Sequence, residues 1–452
     1  MIGHIDVAAP GEPTVSDAPK HAYDDAPLRP FHLRVAVATV TGQFSDGFGL
    51  GIIGLALSLA GPALGLDPLW VGLLGGAALA GLFFGALIAG PVSDQLGRRT
   101  LFAGTMGFIG LFSIGQFLVE SPGQLLALRL GIGFMLGVDY VVGKAMLVEF
   151  TPRAARGRVM STLAIAWAGG FSTAYGVGFL LSDIGAEPWR WMLLSAALPA
   201  LLAFPLRLTI PESPLWLAAH GRQAEAVAIV ERHVGADVAA PPPSTPVPRQ
   251  RGRWAELLSP QWRANTLTGA VFFTCQVVPY FALGTFVTRV LEALGAGGGL
   301  TGGLVYNLAL LAGAVLGFYI VDRMQRRTFL VGSFLVTGAA LLPLVLLPDP
   351  PIALAIGLLA VLAAGLSAAS SLCYVYLPEL YPTTLRASGM GLAIAASRIG
   401  SATSTFLLPL VVAGFGVQKA LGACTLVLGF GALFCWRWAP ETRGIALAEP
   451  SR

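Results

Sequence analysis

The sequence predicts an all-α integral membrane protein whose twelve transmembrane helices form two pseudo-symmetric six-helix bundles. Three observations predict this fold: an apolar composition, long spans that carry few charges, and a chain that repeats itself at a fixed offset. Of the 452 residues, 55% are hydrophobic and 12% are charged, whereas a soluble domain carries about 25% charged residues. The composition therefore excludes a water-soluble globule.

Twelve apolar stretches each approach the ~20 residues that a helix needs to cross a ~30 Å hydrocarbon layer. We predict spans at 33–59, 70–92, 101–119, 124–149, 159–181, 189–209, 264–289, 300–321, 328–347, 351–377, 387–412 and 415–436. The leader before them has neither the apolar core of a signal peptide nor the arginine-rich pattern of a transit peptide. Four cysteines lie inside spans without paired spacing, so we expect no disulfide framework and no metal site.

The spans divide the chain into five parts. We predict a disordered cytoplasmic N-terminal tail at 1–32, an N-terminal six-helix bundle at 33–210, a cytoplasmic connector at 211–262, a C-terminal six-helix bundle at 263–438 and a cytoplasmic C-terminal tail at 439–452. In the connector, the stretch from Leu215 to Val234 predicts one or two amphipathic helices. The string PPPSTPVP at 241–248 predicts an extended linker.

The distribution of cations predicts the orientation, because lysine and arginine are retained on the cytoplasmic side of a membrane. Arginines crowd alternate loops and the C-terminal tail, whereas the other loops offer little beyond Arg190 and Lys419. We therefore expect a multi-pass protein of the inner (cytoplasmic) membrane with both termini in the cytoplasm. The pI near 9.0 follows from this asymmetry and does not indicate a nucleic-acid partner.

Three motifs occur twice, which predicts a duplicated six-span unit. The string DQLGRRT, which begins at Asp94, recurs as DRMQRRT from Asp322. Two shorter motifs recur in the same order: EFTP from Glu149 as ELYP from Glu379, and PES from Pro211 as PET from Pro440. The three offsets are 228, 230 and 229 residues, so the two halves of the chain correspond along their length.

These motifs resemble those of a known family. The string GPVSDQLGRR at 90–99 resembles the signature loop of the major facilitator superfamily. PESPLWL at 211–217, PELYP at 378–382 and PETRG at 440–444 are similar to marker motifs of its sugar porter-like branch. The resemblance implies a transporter that works by alternating access, with a central site between the bundles and no cofactor.

Charged residues recur at the predicted cytoplasmic ends of the spans, and we interpret them as a cytoplasmic gate. The set comprises Asp94, Arg98, Glu149, Arg156 and Glu212 in the first half, and Asp322, Arg326, Glu379, Arg386 and Glu441 in the second. Opposite charges in such a set hold helix ends together. The alternative is that the arginines only obey the positive-inside rule, but that rule does not account for the duplicated acidic residues.

Four ionisable residues lie inside the first and fourth spans. Asp46, Asp139, Arg129 and Lys144 are placed where a charge costs at least ~2.5–3.5 kcal/mol on insertion scales. We predict proton coupling for them; the alternative is a permanent ion pair that never titrates. Arg129 and Asp139 are ten residues apart, about 80° around one helix, so we expect Arg129 to pair with Asp46 on another helix.

The predicted substrate site centres on Arg398 in the eleventh span, because an arginine binds a carboxylate or phosphate through two hydrogen bonds. Further candidates are Gln276, Asn307, Trp167, Tyr280 and Tyr374. DGFG at 46–49 and GVDY at 137–140 are similar to motifs shared by phosphate, aromatic-acid and related metabolite:proton symporters. Gly49 lies at the position where the similar proton-coupled sugar porters have an aspartate. SRIG at 397–400 resembles a motif of organic-acid symporters.

We expect a secondary active transporter that takes up a small polar metabolite with protons, an organic acid or anion being favoured over a sugar or polyol. Two alternatives remain open: proton-driven efflux of amphipathic compounds, and a solute sensor that does not transport. The string GxxxxGK[ST] is absent from the sequence, so ATP is not expected to drive the process directly. We expect a non-enzymatic protein that functions as a monomer in the lipid bilayer.

Overall fold

The computed structural model describes residues 21–243, 256–295, 299–381 and 385–443. Within these ranges, twelve helices are long and apolar enough to cross a membrane, which confirms the predicted fold class. They are α1 (Pro30–Leu64), α2 (Pro68–Leu96), α3 (Arg98–Phe117), α4 (Pro122–Phe150), α5 (Arg153–Leu181), α6 (Pro188–Leu208), α7 (Arg263–Thr285), α8 (Gly299–Ile320), α9 (Arg326–Leu346), α10 (Ile352–Glu379), α11 (Arg386–Phe415) and α12 (Val417–Trp438).

Several helices begin a few residues before the predicted apolar spans. Pro30, Pro68, Pro122 and Pro188 each stand at the start of a helix, where the missing proline N–H is not needed and the fixed φ suits helical backbone. The side chain of Asp67 caps α2 by accepting a hydrogen bond from a backbone amide at 2.8 Å. Capping chemistry and not hydropathy therefore sets these boundaries.

The helices form two bundles with the same internal packing order. In the first bundle (α1–α6), α1 packs on α5, α2 on α4 and α3 on α6; in the second (α7–α12), α7 packs on α11, α8 on α10 and α9 on α12. Between the bundles, α2 packs on α11 and α5 on α8, which are again equivalent pairs. The packing therefore follows the duplication seen in the sequence.

Successive transmembrane helices run in opposite directions, so their ends lie at two faces of the molecule. We call the face with the repeated charged motifs, the α6–α7 connector and both described chain ends the motif face, and the other the opposite face. Hydrogen bonds of three side chains join the bundles towards the opposite face. They include Tyr175 Oη with Thr288 Oγ1 at 2.7 Å, Ser172 Oγ with the Asn307 carbonyl at 2.7 Å, and Arg289 Nη2 with the Leu57 carbonyl at 2.9 Å. The charged clusters of the motif face are built separately within each bundle, around Arg98 in the first and Arg326 in the second.

The segment before α1 is ordered from residue 21, so the expected disorder of residues 1–32 does not hold for its last twelve residues. Tyr23–Asp25 form a 3-10 turn, and Asp24 forms an ion pair with Arg156 at 3.0 Å. Arg29 binds Asp237 of the connector at 2.6 Å, and this hydrogen bond lowers the pKa of the Asp237 carboxyl. Residues 1–20 lie outside the described ranges.

The connector contains two short helices, Pro214–Ala219 and Gln223–Ile229, followed by a π-helical turn at Val230–Val234. Val230 and Val234 are buried together with Phe31 of α1 in one apolar cluster. This part of the connector is therefore packed on the first bundle. Most of the proline-rich string at 241–248 and the last nine residues of the predicted C-terminal tail lie outside the described ranges.

Candidate functional site

A buried ion pair lies in the middle of the first bundle, between Asp139 of α4 and Arg207 of α6. The two side chains are 5% and 0% exposed, and Arg207 donates to both carboxylate oxygens, with 3.0 Å between Nη2 and Oδ2. Thr105 of α3 donates a further hydrogen bond to Asp139 at 2.9 Å, and the guanidinium stacks on Phe102 at 4.1 Å. Such a bidentate pair fixes three helices at one point.

Arg207 is a site residue that the sequence analysis did not single out. It is an ionisable residue inside the predicted span at 189–209. Asp46 and Asp139 were selected because they are ionisable residues inside predicted spans, so the same criterion applied to Arg207. Its position only two residues from the end of that span made it resemble an ordinary loop cation.

Asp46 of α1 lies beside this pair and is fully buried. Gln43 donates to its Oδ2 at 3.3 Å, while Oδ1 accepts no hydrogen bond from the described residues. Its charged neighbours are Asp139, Arg207 and Lys144. Asp46 is therefore a second buried carboxyl beside an arginine that already binds Asp139.

The expected pair between Asp46 and Arg129 does not form. Arg129 is buried in α4 and donates from Nη1 to the carbonyl oxygen of Gly49 at 2.9 Å, with no carboxylate within ion-pair distance in the described ranges. The reason is depth: ten residues of helix separate Arg129 from Asp139 by about 15 Å. Asp46, which lies beside Asp139, is therefore too far away.

Two cations from different bundles converge on one group of aromatic rings. Lys144 of α4 lies 4.7 Å from the Tyr140 ring centre and 5.2 Å from that of Tyr374 on α10. Arg398 of α11 lies 5.5 Å from the same Tyr140 ring. Its Nε and Nη1 are buried without a hydrogen-bond partner in the described chain. Neither cation is within ion-pair distance of a described carboxylate.

An aromatic wall continues from Arg398 towards the opposite face. The Arg398 guanidinium lies 5.9 Å from Phe281 of α7, and Phe281 contacts Trp167 of α5 with 5.8 Å between ring centres. Tyr280 lies 5.8 Å from the same Trp167 ring. The structure thus brings the predicted residues Arg398, Trp167 and Tyr280 together, and adds Phe281, which sequence could not separate from ordinary core aromatics.

The two predicted amides of the second bundle each keep one free oxygen. Gln276 of α7 donates to the Leu366 carbonyl at 2.8 Å, and Asn307 of α8 donates to the Gly303 carbonyl at 2.8 Å. Their side-chain carbonyl oxygens are buried and accept nothing from the described residues. Buried amide oxygens without donors are costly, so both are suited to accept a hydrogen bond from a polar solute.

The charged cluster at the motif face of the first bundle is formed within that bundle. Arg98 binds Glu149 at 2.6 Å and approaches Asp94 at 4.0 Å. Glu212 accepts from the backbone amides of Arg98 and Arg99 at 3.1 and 3.2 Å, which places a carboxylate at the N-terminus of α3. The cluster therefore ties α2, α3, α4 and the start of the connector together.

The second bundle repeats this arrangement. Arg326 binds Glu379 at 3.3 Å and lies 3.6 Å from Asp322. Glu441 accepts from the backbone amides of Arg326 and Arg327 at 2.9 and 3.0 Å. Burial raises the pKa of the Glu441 carboxyl, but these and other backbone hydrogen bonds lower it more, so its net pKa lies below the ordinary value.

Two predicted members stand apart from these clusters. Arg156 binds Asp24 and the Thr151 carbonyl and not the predicted acidic partners, because the ordered N-terminal segment supplies a nearer carboxylate. The side chain of Arg386 lies outside the described part of the structure.

Replacing Arg98 or Glu149 by alanine is expected to slow transport with membrane insertion intact, because the pair ties α3 to α4 in the described state. Loss of a partly exposed pair shifts the conformational equilibrium by about 1 kcal/mol, or about fivefold. The measurement is the alkylation rate of the buried Cys373 of α10, together with uptake at matched expression. Arg158→Ala, an exposed cation of the same face, is the control. Unchanged uptake in both variants contradicts the gate.

Comparison with known proteins extends these observations over nearly the whole chain. Residues 35–452 match the family described as "Sugar (and other) transporter". The inner membrane metabolite transport protein YgcS of Escherichia coli (strain K12) is 39% identical over 424 residues, covering 94% of this chain and 95% of that protein. The putative metabolite transport protein YaaU of the same strain is 36% identical over 436 residues, covering 96% of this chain and 97% of that protein.

The fold also matches a solved structure. The partially occluded inward open conformation of the xylose transporter XylE from E. coli superposes with a TM-score of 0.77, covering 92% of this chain and 100% of that chain. The identity is 19%, so this likeness concerns the fold alone.

Proposed function

Because this chain belongs to the sugar (and other) transporter family of the major facilitator superfamily, we propose that it is a proton-coupled symporter of a small organic anion. The observation that carries this proposal is the meeting of Lys144 and Arg398 across the two bundles, with no described carboxylate within ion-pair distance of either. A neutral sugar does not need two cations in its site. A carboxylate gains charge-assisted hydrogen bonds from both.

The rings around the two cations favour an anion with an apolar or aromatic body. Tyr140 and Tyr374 flank Lys144, while Phe281 lies beside Arg398. Aromatic faces pack against planar apolar groups and leave the carboxylate to the cations. The free oxygens of Gln276 and Asn307 suit a hydroxyl or N–H donor elsewhere on the solute.

Asp46 is the proposed proton carrier, with Asp139 and Arg207 as its fixed counterpart. Arg207 holds Asp139 in a bidentate pair, whereas one oxygen of Asp46 accepts no hydrogen bond from the described chain. Asp46 is therefore the carboxyl that binds and releases a proton with the least rearrangement. Its charge changes the field at Lys144, one of its neighbours, which links the proton to the anion site.

We further propose that the motif face is cytoplasmic, as the arginine-rich loops indicate, and that the described state opens to the cytoplasm. YgcS is named as an inner membrane protein, which supports the same membrane for this chain. Transport in the uptake direction then begins from a state in which the hydrogen bonds of Tyr175, Ser172 and Arg289 are broken.

The proposal is tested by uptake into proteoliposomes of a panel of sugars, polyols and carboxylates, with and without an imposed proton gradient. We expect at least one carboxylate to be concentrated when the lumen is alkaline, and sugars and polyols not to be. Concentration of a neutral sugar in place of every carboxylate contradicts the proposal. Accumulation only against an opposing gradient indicates proton-driven efflux.

Arg398→Gln and Lys144→Gln are each expected to weaken the affinity for the transported carboxylate at least tenfold. A hydrogen bond to a charged group contributes about 1.5–3 kcal/mol, and 1.4 kcal/mol is a factor of ten in affinity. The measurement is the Kd or the KM of the carboxylate. Arg263→Gln, which changes an exposed cation at the start of α7, is the control. Wild-type affinity in Arg398→Gln contradicts the assignment.

A further inference from the structure

Arg129 is a fully buried cation that the proposed mechanism does not use. Its residue is 1% exposed, and its Nη1 donates to the Gly49 carbonyl at 2.9 Å. Its Nε and Nη2 have no hydrogen-bond partner among the described residues. These two nitrogens lie on one edge of the guanidinium and offer parallel N–H groups.

Two other buried arginines have a carboxylate within ion-pair distance. Arg207 binds Asp139, and Arg326 binds Glu379. Arg129 has no such carboxylate in the described ranges. An uncompensated charge inside a membrane protein is strongly unfavourable, so an anion that reaches Arg129 is bound favourably.

The backbone next to Arg129 leaves room for such an anion. Gly47 and Gly51 of α1 lie so close to α5 that a Cβ at either position overlaps the backbone of Trp167 or Phe171. Gly49 lies between them, and a Cβ there meets no atom within 4 Å. Close helix packing therefore explains the two flanking glycines but not Gly49, whose carbonyl is the one that Arg129 contacts.

We propose that Arg129 and the open space at Gly49 form a binding site for one small monovalent anion inside the first bundle. The side-on fork of Nε and Nη2 offers two parallel N–H donors to a halide ion. One cation balances one negative charge, which selects monovalent anions. Arg129 lies fifteen residues from Lys144 on α4, about 22 Å at 1.5 Å per residue, so the site is separate from that cation of the central site.

The test measures the thermal stability of the purified protein in sodium chloride and in sodium gluconate at equal ionic strength. Chloride is expected to raise the Tm of the wild type with a saturable dependence, because a ligand that binds only the folded state stabilises it. Arg129→Gln is expected to bind chloride at least tenfold more weakly. An equal Tm of the wild type in both salts overturns the proposal, as does a wild-type chloride response in Arg129→Gln.

Two substitutions of Gly49 by side chains of equal size distinguish the effect of a negative charge from the effect of filling the open space. Gly49→Asp and Gly49→Asn both occupy the open space, and both are expected to lose the chloride response. Gly49→Asp supplies the missing negative charge and is expected to be more stable than Gly49→Asn in gluconate, by about 3 °C or more. Equal stability of the two variants overturns the proposal.

Arg398→Gln distinguishes this site from the central one. It is expected to keep the wild-type chloride response, because it leaves Arg129 unchanged. Loss of the response in Arg398→Gln, with retention in Arg129→Gln, places the anion at the central site and overturns the proposal.

Discussion

Replacing Arg207 by leucine is expected to lower the free energy of unfolding by about 3–5 kcal/mol and to abolish transport. The change leaves Asp139 buried with only the hydrogen bond from Thr105. The measurement is unfolding in detergent by a chemical denaturant, with membrane insertion followed separately. This is the largest single effect on stability that we expect from one side chain of the site.

A second substitution tests whether the loss comes from the unpaired charge. Adding Asp139→Leu to Arg207→Leu removes both charges, so the double variant is expected to recover most of the lost stability without recovering transport. The control is Arg222→Ala, which breaks an exposed pair with Glu225 and is expected to leave stability close to that of the wild type. Wild-type stability in Arg207→Leu contradicts a structural role for the pair.

Asp46→Asn is expected to abolish accumulation of the solute while leaving exchange of labelled for unlabelled solute across the membrane. One pH unit supplies about 1.36 kcal/mol, enough for about tenfold accumulation if one proton accompanies one solute. An amide at position 46 cannot carry that proton. The accumulation ratio is therefore expected to fall from about ten to about one.

The control for this variant is Glu120→Gln, which makes the same chemical change at an exposed carboxyl of the opposite face. It is expected to accumulate the solute as the wild type does. The coupling assignment is wrong if Asp46→Asn still concentrates the solute against its gradient. A loss of exchange together with accumulation indicates that Asp46 is needed for binding or for the conformational change.

Much of the fold could be predicted from sequence, because hydropathy and the duplicated motifs act over many residues. The boundaries were less accurate, since residues such as Pro68 and Pro122 extend helices beyond the apolar stretch. The seventh span shows a further limit: α7 ends at Thr285, and a separate short helix at Val287–Ala293 follows. Hydropathy does not register a break in the helix axis.

The site was predicted less completely, because contacts between helices depend on depth and rotation. Sequence identified Asp46 and Asp139 as buried acids but assigned Arg129 to the wrong depth as a partner. It passed over Arg207, which the fold carries to Asp139 from the sixth span. The meeting of Lys144 with Tyr374 joins two bundles, and no spacing along a single helix predicts it.

The interface between the two bundles has an energetic consequence. Three hydrogen-bonded groups cross it towards the opposite face, through Tyr175, Ser172 and Arg289, and each such bond contributes about 1 kcal/mol net. A proton gradient supplies about 1.4 kcal/mol per pH unit. This energy shifts a conformational equilibrium substantially only when the two states have nearly equal free energy. Because few hydrogen bonds join the bundles there, the two conformational states are close in free energy. The free energy of one proton crossing the gradient is then enough to shift the equilibrium between them.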